Sequence, residues 1–221
     1  MNLHECLLTN NACYKAGVAI SPTRIVVHDT GAGNPNLKRY VQPDDGLLGK
    51  NPNGNDWNQP HPDERSVCVH AFIGRLQDGT VATYQTLPWT MQAWGVGAGA
   101  RGSYNGSAIQ FEICDDGYRD ASYFNAVYDE AVNLCAYLCK LHGISTDDIL
   151  CHAEAHRLGY ATNHGDVEVW FGKFARTMSM FRTDVQRRLA IDAVEETSVE
   201  AQAKTPSLHV DASGGSESFR G

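Results

Sequence analysis

Residues 120–142 carry the strongest periodic signal in the chain and do most to limit what it can fold into. Phe124, Val127, Tyr128, Ala131, Leu134, Cys135, Leu138 and Leu141 recur at intervals of three and four, which lays them in one apolar stripe along a helix. Asp120 or Ser122 supplies the N-terminal cap and Gly143 the stop. Just upstream, residues 107–114 alternate. Ile109, Phe111 and Ile113 share one face, and Ala108, Gln110 and Glu112 the other, as in a strand. Residues 24–28 (Arg-Ile-Val-Val-His) read as a short buried strand, and 67–73 as another. Residues 80–85 follow the turn signal Asp78-Gly79 and predict a hairpin. A second helix is predicted over 177–189, where Phe181, Val185 and Leu189 stack at four-residue spacing. Residues 34–63, rich in Asn, Pro, Gly and Asp, predict a long surface loop, and loops of that length usually serve a function. The class is α/β.

Composition bounds the rest. The chain has 221 residues and 42% hydrophobic content, which suits one domain with a substantial core and excludes fibrous or wholly disordered classes. Its net charge of −8 argues against a nucleic-acid binder held by bulk charge. No apolar run is long enough to span or insert into a membrane. The N-terminus reads as lacking a secretory signal, which predicts synthesis in the cytoplasm and, with seven cysteines, reduced thiols. Residues 192–221 hold six acids against two bases and few large apolar side chains. They read as a polar tail, which makes 1–190 the expected domain and 191–221 an acidic flexible tail or linker. Nothing in the sequence reports an oligomeric state.

The nine histidines are unevenly placed. His28 closes the first strand before Asp29-Thr30-Gly31. His152, His156 and His164 crowd into residues 151–171 beside Glu154, Asp166 and Glu168. Histidine and carboxylate are the usual ligands of a hydrolytic zinc, which keeps three protein ligands and one open position. A water there becomes acidic enough to give hydroxide near neutral pH. Such chemistry also needs a base and a donor for the developing oxyanion. Glu112, a charge on the polar face of a buried-looking strand, is the candidate base. Two ligand sets fit the spacing: His152 and His156 with His28, or His28 and His152 with Asp166. Periodicity does not choose between them.

The order of motifs adds a further constraint. Ile25-Val26-Val27-His28-Asp29-Thr30 resembles the first-strand motif of the zinc-dependent N-acetylmuramoyl-L-alanine amidases of the amidase-2 and peptidoglycan-recognition-protein family. Val69-His70-Ala71-Phe72-Ile73 with Asp78-Gly79-Thr80 is similar to that family's second strand and hairpin. Ser107-Ala108-Ile109-Gln110-Phe111-Glu112 is similar to the strand bearing its catalytic glutamate. His152, with Asn163-His164-Gly165-Asp166 trailing it, resembles the segment that gives the second histidine and the acidic ligand. The match runs in order over roughly residues 2–190 and is nearest in style to phage and prophage endolysins of Gram-positive hosts.

The resemblance implies a central mixed β-sheet flanked by helices, with a zinc cleft at one edge. It implies Zn2+ held by His28, His152 and Asp166, with Glu112 as general base. His164 falls where some relatives place a lysine that steadies the oxyanion; a histidine there carries a pH-dependent charge. The implied reaction is hydrolysis of the amide between N-acetylmuramic acid and L-alanine in bacterial peptidoglycan, and hence bacteriolysis. The implied route is release to the wall through a membrane lesion made by another, holin-type protein. Rival readings are a non-catalytic peptidoglycan-binding module and a zinc peptidase cutting within the stem peptide. In one departure, many relatives read Trp-His-x-Gly where this chain has Trp94-Gly95-Val96-Gly97, so a cleft histidine is missing. In another, the third ligand is not the cysteine of other branches. His70 reads as packed near the site. Trp57, Trp89 and Trp94 suit either sugar stacking or the core.

Overall fold

Six strands form one sheet in the computed structural model, which describes residues 1–203. They are β1 (Leu3–Glu5), β2 (Arg24–Asp29), β3 (Ala71–Arg75), β4 (Val81–Gln85), β5 (Ala108–Ile113) and β6 (Ile149–Cys151). Their order across the sheet is β1-β4-β3-β5-β2-β6. The β3–β4 hairpin is antiparallel, and the other neighbouring pairs are parallel. Asp78 builds the hairpin turn by accepting from the Thr80 backbone N–H, while Gly79 takes a left-handed φ of 88°. The helices are α1 (Ala12–Ala16), α2 (Ala121–His142), α3 (His152–Arg157), α4 (Val167–Lys173) and α5 (Met178–Ala203). Contacts gather Met1–Leu189 into one compact unit.

The alternating pattern decides which face carries what. Ile109, Phe111 and Ile113 of β5 join Ile25 and Val27 of β2 on one face of the sheet. There they pack against Phe124, Val127, Tyr128, Leu134 and Leu138 of α2, Trp170 and Phe171 of α4, and Phe181 and Val185 of α5. Asp120 caps α2 by accepting from the Ser122 and Tyr123 backbone N–H groups, and Gly143 ends it in the left-handed region. Leu141, predicted in the buried stripe, is exposed because it sits in the last turn, beyond the cover of the sheet. The opposite face of β2 and β5 presents Val26, His28, Ala108, Gln110 and Glu112. The functional candidates therefore lie across the sheet from α2.

Three segments differ from expectation. The predicted strand 67–73 begins later, at Ala71, because Cys68 turns away to bridge with Trp94. Residues 34–63 lack strands, yet they are not a surface loop. Leu37, Tyr40, Val41, Leu48 and Trp57 are buried against Phe72, Leu76 and Tyr84 in a second core over β3 and β4. Side-chain acceptors replace a ladder: Asp44, Asp45, Asn51 and Asp56 each bond a backbone N–H two residues on. Finally, α5 runs to Ala203, so residues 191–203 of the expected tail are helical. Residues 204–221 lie outside the described residues.

Candidate metal centre and cleft

The site forms at the carboxyl ends of three adjacent parallel strands, where ligands of open α/β sheets characteristically bind. His28 lies near the end of β2, and its register partner on β5 is Glu112. His152 follows directly on β6 as the first residue of α3. Asp166 precedes α4 with φ 40° and ψ −139°, a conformation that costs a non-glycine residue strain. Such strain persists where the surroundings fix the side chain. Here Trp170 and Phe171 anchor α4 in the core while the Asp166 carboxylate meets two histidines.

Asp166 Oδ2 lies 2.8 Å from His28 Nδ1 and 3.1 Å from His152 Nδ1, and the two Nδ1 atoms are 3.1 Å apart. Both histidines are buried. Burial opposes ionisation of Asp166, but the bonds to His152 and His28 outweigh it and hold the carboxyl well below the usual carboxylate range. Among the described residues, these three form the one group of His, Cys, Asp or Glu side chains spaced to hold a metal ion. The competing candidates are engaged elsewhere. Glu154 takes a two-point ion pair from Arg182, Glu168 pairs with Arg157, and exposed His156 directs Nδ1 at the Ala161 carbonyl. The all-histidine set is therefore not assembled.

Glu112 is partly buried, and its Oε2 is shielded from solvent with no hydrogen-bond partner. Burial, and then the charges of Asp166 and Asp29, push its carboxyl well above the ordinary value. Asp29 is pushed up to about 7, chiefly by burial and then by Asp166 and Asp115, although Tyr118 donates its hydroxyl to the carboxylate at 3.2 Å. The loop after His28 is pinned by Asp115, which accepts from Thr30 Oγ1 and from the Ala32 and Gly33 backbone N–H groups.

These groups open into a cleft of about 860 Å³ lined by His28, Glu112, His152, His164 and Asp166. All five predicted site residues are thus brought together. His164 is exposed on the cleft, with its ring 4.7 Å from that of His152. Trp94 and Trp57 line the cleft, although Trp57 is mostly buried, and Trp89 belongs to the core. His70 is fully buried outside the cleft: its Nδ1 accepts from the Gln110 backbone N–H and its Nε2 donates to the Met91 carbonyl. Sequence reasoning missed Tyr118, Thr162 and Gln110. Thr162 donates its hydroxyl to the Val96 carbonyl and so faces His152 Nε2, at 3.2 Å, as an acceptor. Gln110 could have been found from the signal that singled out Glu112, since both are polar residues on one face of a buried strand.

With this geometry in hand, comparison with known proteins is decisive for the family. The profile described as N-acetylmuramoyl-L-alanine amidase, amidase-2, matches residues 19–166, and the chain belongs to that family. No curated protein matches the sequence. Among solved structures, the PlyG catalytic domain is 17% identical with a TM-score of 0.58, the match covering 86% of this chain and 96% of that one. A mutant endolysin from Bacillus subtilis is 20% identical with a TM-score of 0.56, covering 84% and 99%. Staphylococcus aureus hydrolase AmiA in complex with its ligand is 20% identical with a TM-score of 0.57, covering 87% and 84%. At these identities the likeness is one of fold: a mixed sheet flanked by helices.

Proposed function

We propose that the protein is a zinc-dependent N-acetylmuramoyl-L-alanine amidase, which hydrolyses the amide joining the lactyl group of N-acetylmuramic acid to L-alanine in bacterial peptidoglycan. The observation that carries this reading is Glu112, whose Oε2 has no hydrogen-bond partner and which lies opposite His28 in register and shares a cleft with His152 and Asp166. Two imidazoles and one carboxylate converging beside an open cleft suit a catalytic zinc, which leaves one position for substrate or water. His28, His152 and Asp166 would hold the ion. Bound there, zinc supplies Lewis acidity that polarises a carbonyl and acidifies water.

The protein's own groups supply the rest. Glu112 takes the proton from the attacking water and returns it to the departing alanine amine. The free Oε2 is the atom for that task, and a cation beside it favours the ionised form that a base requires. His164 Nδ1 faces Thr162 Oγ1, whose own proton goes to the Val96 carbonyl, so Nδ1 is the donor of that pair and Nε2 donates to the developing oxyanion in the doubly protonated, cationic ring. Trp94 walls the cleft with an apolar face suited to sugar or peptide. Residues 1–190 are the proposed catalytic domain and 191–221 a linker. The fold shared with a Bacillus subtilis endolysin supports a wall-lytic role, reached after release from the cytoplasm. Among the described residues, no helix is long and apolar enough to cross a membrane.

Digestion of purified peptidoglycan with zinc-loaded protein, followed by mass spectrometry, tests the reading. Release of intact stem peptides with a free L-alanine amine is the expected result. Fragments cut within the stem would make the protein a peptidase, and wall binding without products would make it a recognition module. Glu112→Ala is expected to lower turnover by roughly 10²–10⁴-fold while zinc content, read by atomic absorption, stays at the wild-type level.

A further inference from the structure

Gln110 has no exposed surface, lies on β5 two residues before Glu112, and takes no part in the chemistry above. The direction of its amide is dictated from outside. The backbone N–H groups of Gly95 and Val96 donate to Asn105 Oδ1 at 3.2 and 3.1 Å, which fixes that oxygen as an acceptor. The Gln110 atom 2.9 Å from it is therefore the amide nitrogen, Nε2, as donor. Gln110 Oε1 is thereby left facing His28 Nε2 at 3.3 Å. A carbonyl oxygen has no proton to give, so the hydrogen of that bond must sit on His28 Nε2. Nδ1 is then the nitrogen turned to the ligand cluster, beside Asp166 Oδ2 and His152 Nδ1, and a cation bound there would take the place of the proton that otherwise joins Nδ1 to the Asp166 carboxylate.

Gly95 makes this arrangement possible. A Cβ at position 95 would lie 2.3 Å from Gln110 Oε1 and 3.2 Å from Val69 Cγ1. The backbone there is not left-handed, so the glycine provides space rather than a special conformation. The missing side chain at position 95 and the place of the Gln110 amide are thus two parts of one packing arrangement in this cleft.

We infer that Gln110, oriented by Asn105 and given room by Gly95, is a positioning residue that fixes which nitrogen of His28 faces the metal. The inference rests on the metal-centre reading above. Partners of this kind orient the ring and raise ligand basicity, and losing one typically costs 10–100-fold in metal affinity.

The test is a double-mutant cycle read by zinc affinity, using competition with a chromophoric chelator. Gln110→Ala and Gly95→Ala are each expected to weaken zinc binding by roughly 10–100-fold. The double variant is expected to match Gln110→Ala alone, because the added methyl at 95 then has no amide to displace and meets only the Val69 methyl, which can yield into the space left at 110. Proton–nitrogen spectra of the zinc-loaded wild type should show a slowly exchanging His28 Nε2–H that Gln110→Ala loses. Gln110→Met, which keeps the volume but has no amide acceptor, gives the same reading should truncation unfold the chain. Wild-type zinc affinity in the folded Gln110 variants, or losses that multiply independently in the double variant, would overturn the inference. A wild type that binds no zinc would overturn the metal-centre reading itself, a separate and distinguishable failure.

Discussion

At the residue scale the site depends on two histidines outside the ligand set. His164 carries little structural burden: it is exposed, and its polar contact is with Thr162. His164→Ala is accordingly expected to lower kcat by roughly 10²-fold with little change in KM or in unfolding free energy. Steady-state kinetics on a soluble muropeptide would show this. His70 is the reverse case. Burial is the main force holding its pKa down, to about 4. Its Nδ1 already accepts a backbone N–H, so a second proton has to break that bond. A histidine with a depressed folded pKa binds fewer protons folded than unfolded. Its contribution is therefore complete above the unfolded value near 6.5 and is lost as pH falls toward about 4. Roughly 3 kcal/mol of stability is expected to disappear over that window. Urea unfolding at several pH values would measure it, and NMR titration should find the His70 ring neutral down to about pH 4.

Among the elements, α4 links core to chemistry. Trp170 is fully buried, with its ring centroid 5.5 Å from Tyr118 and 5.6 Å from Phe124, while Asp166 sits at the same helix's N-terminus. Trp170→Ala is expected to cost roughly 3–5 kcal/mol and to weaken zinc binding, because the strained Asp166 backbone loses the helix that holds it in place. Calorimetry and chelator competition report the two effects separately. The elements also show what the sequence made legible. α2 and β5 were readable because a single periodicity governs each, and their caps and faces emerged where the pattern put them, Leu141 in the last turn of α2 excepted. Residues 34–63 were not, because Tyr40, Leu48 and Trp57 enter the second core at irregular spacing that no period describes. The choice of Asp166 over His156 was equally beyond periodicity. It follows from Glu154 and Glu168 being taken by arginines, and from the turn after α3 bringing the Ala161 carbonyl back to His156. Gln110 escaped notice because its meaning depends on Asn105 and Gly95, neighbours that only the fold brings near.

For the whole molecule, metal and fold should be thermodynamically linked. The three proposed ligands come from sequence positions 28, 152 and 166, on the ends of β2 and β6 and the start of α4. An ion that binds the native state alone stabilises it by about 2.7 kcal/mol at 100 times its Kd. For a domain of this size that is expected to raise Tm by roughly 5–10 °C. Calorimetry with and without a chelator would show the shift, and His28→Ala should abolish it.

Pairing His28 with Glu112 in the β2–β5 ladder has one more consequence. The spacing between proposed ligand and proposed base is set by backbone hydrogen bonds, and no hinge or lid has to close to bring them together. Their tolerance to insertion should therefore be sharply local. One residue added within either strand would turn the next side chain through the sheet, so that a hydrophobic residue faced the cleft and the Glu112 carboxylate of β5, or the His28 imidazole of β2, faced α2. Added residues in the 34–63 segment would leave that pairing untouched. In this protein the counting of residues along two strands is itself part of the proposed catalytic apparatus.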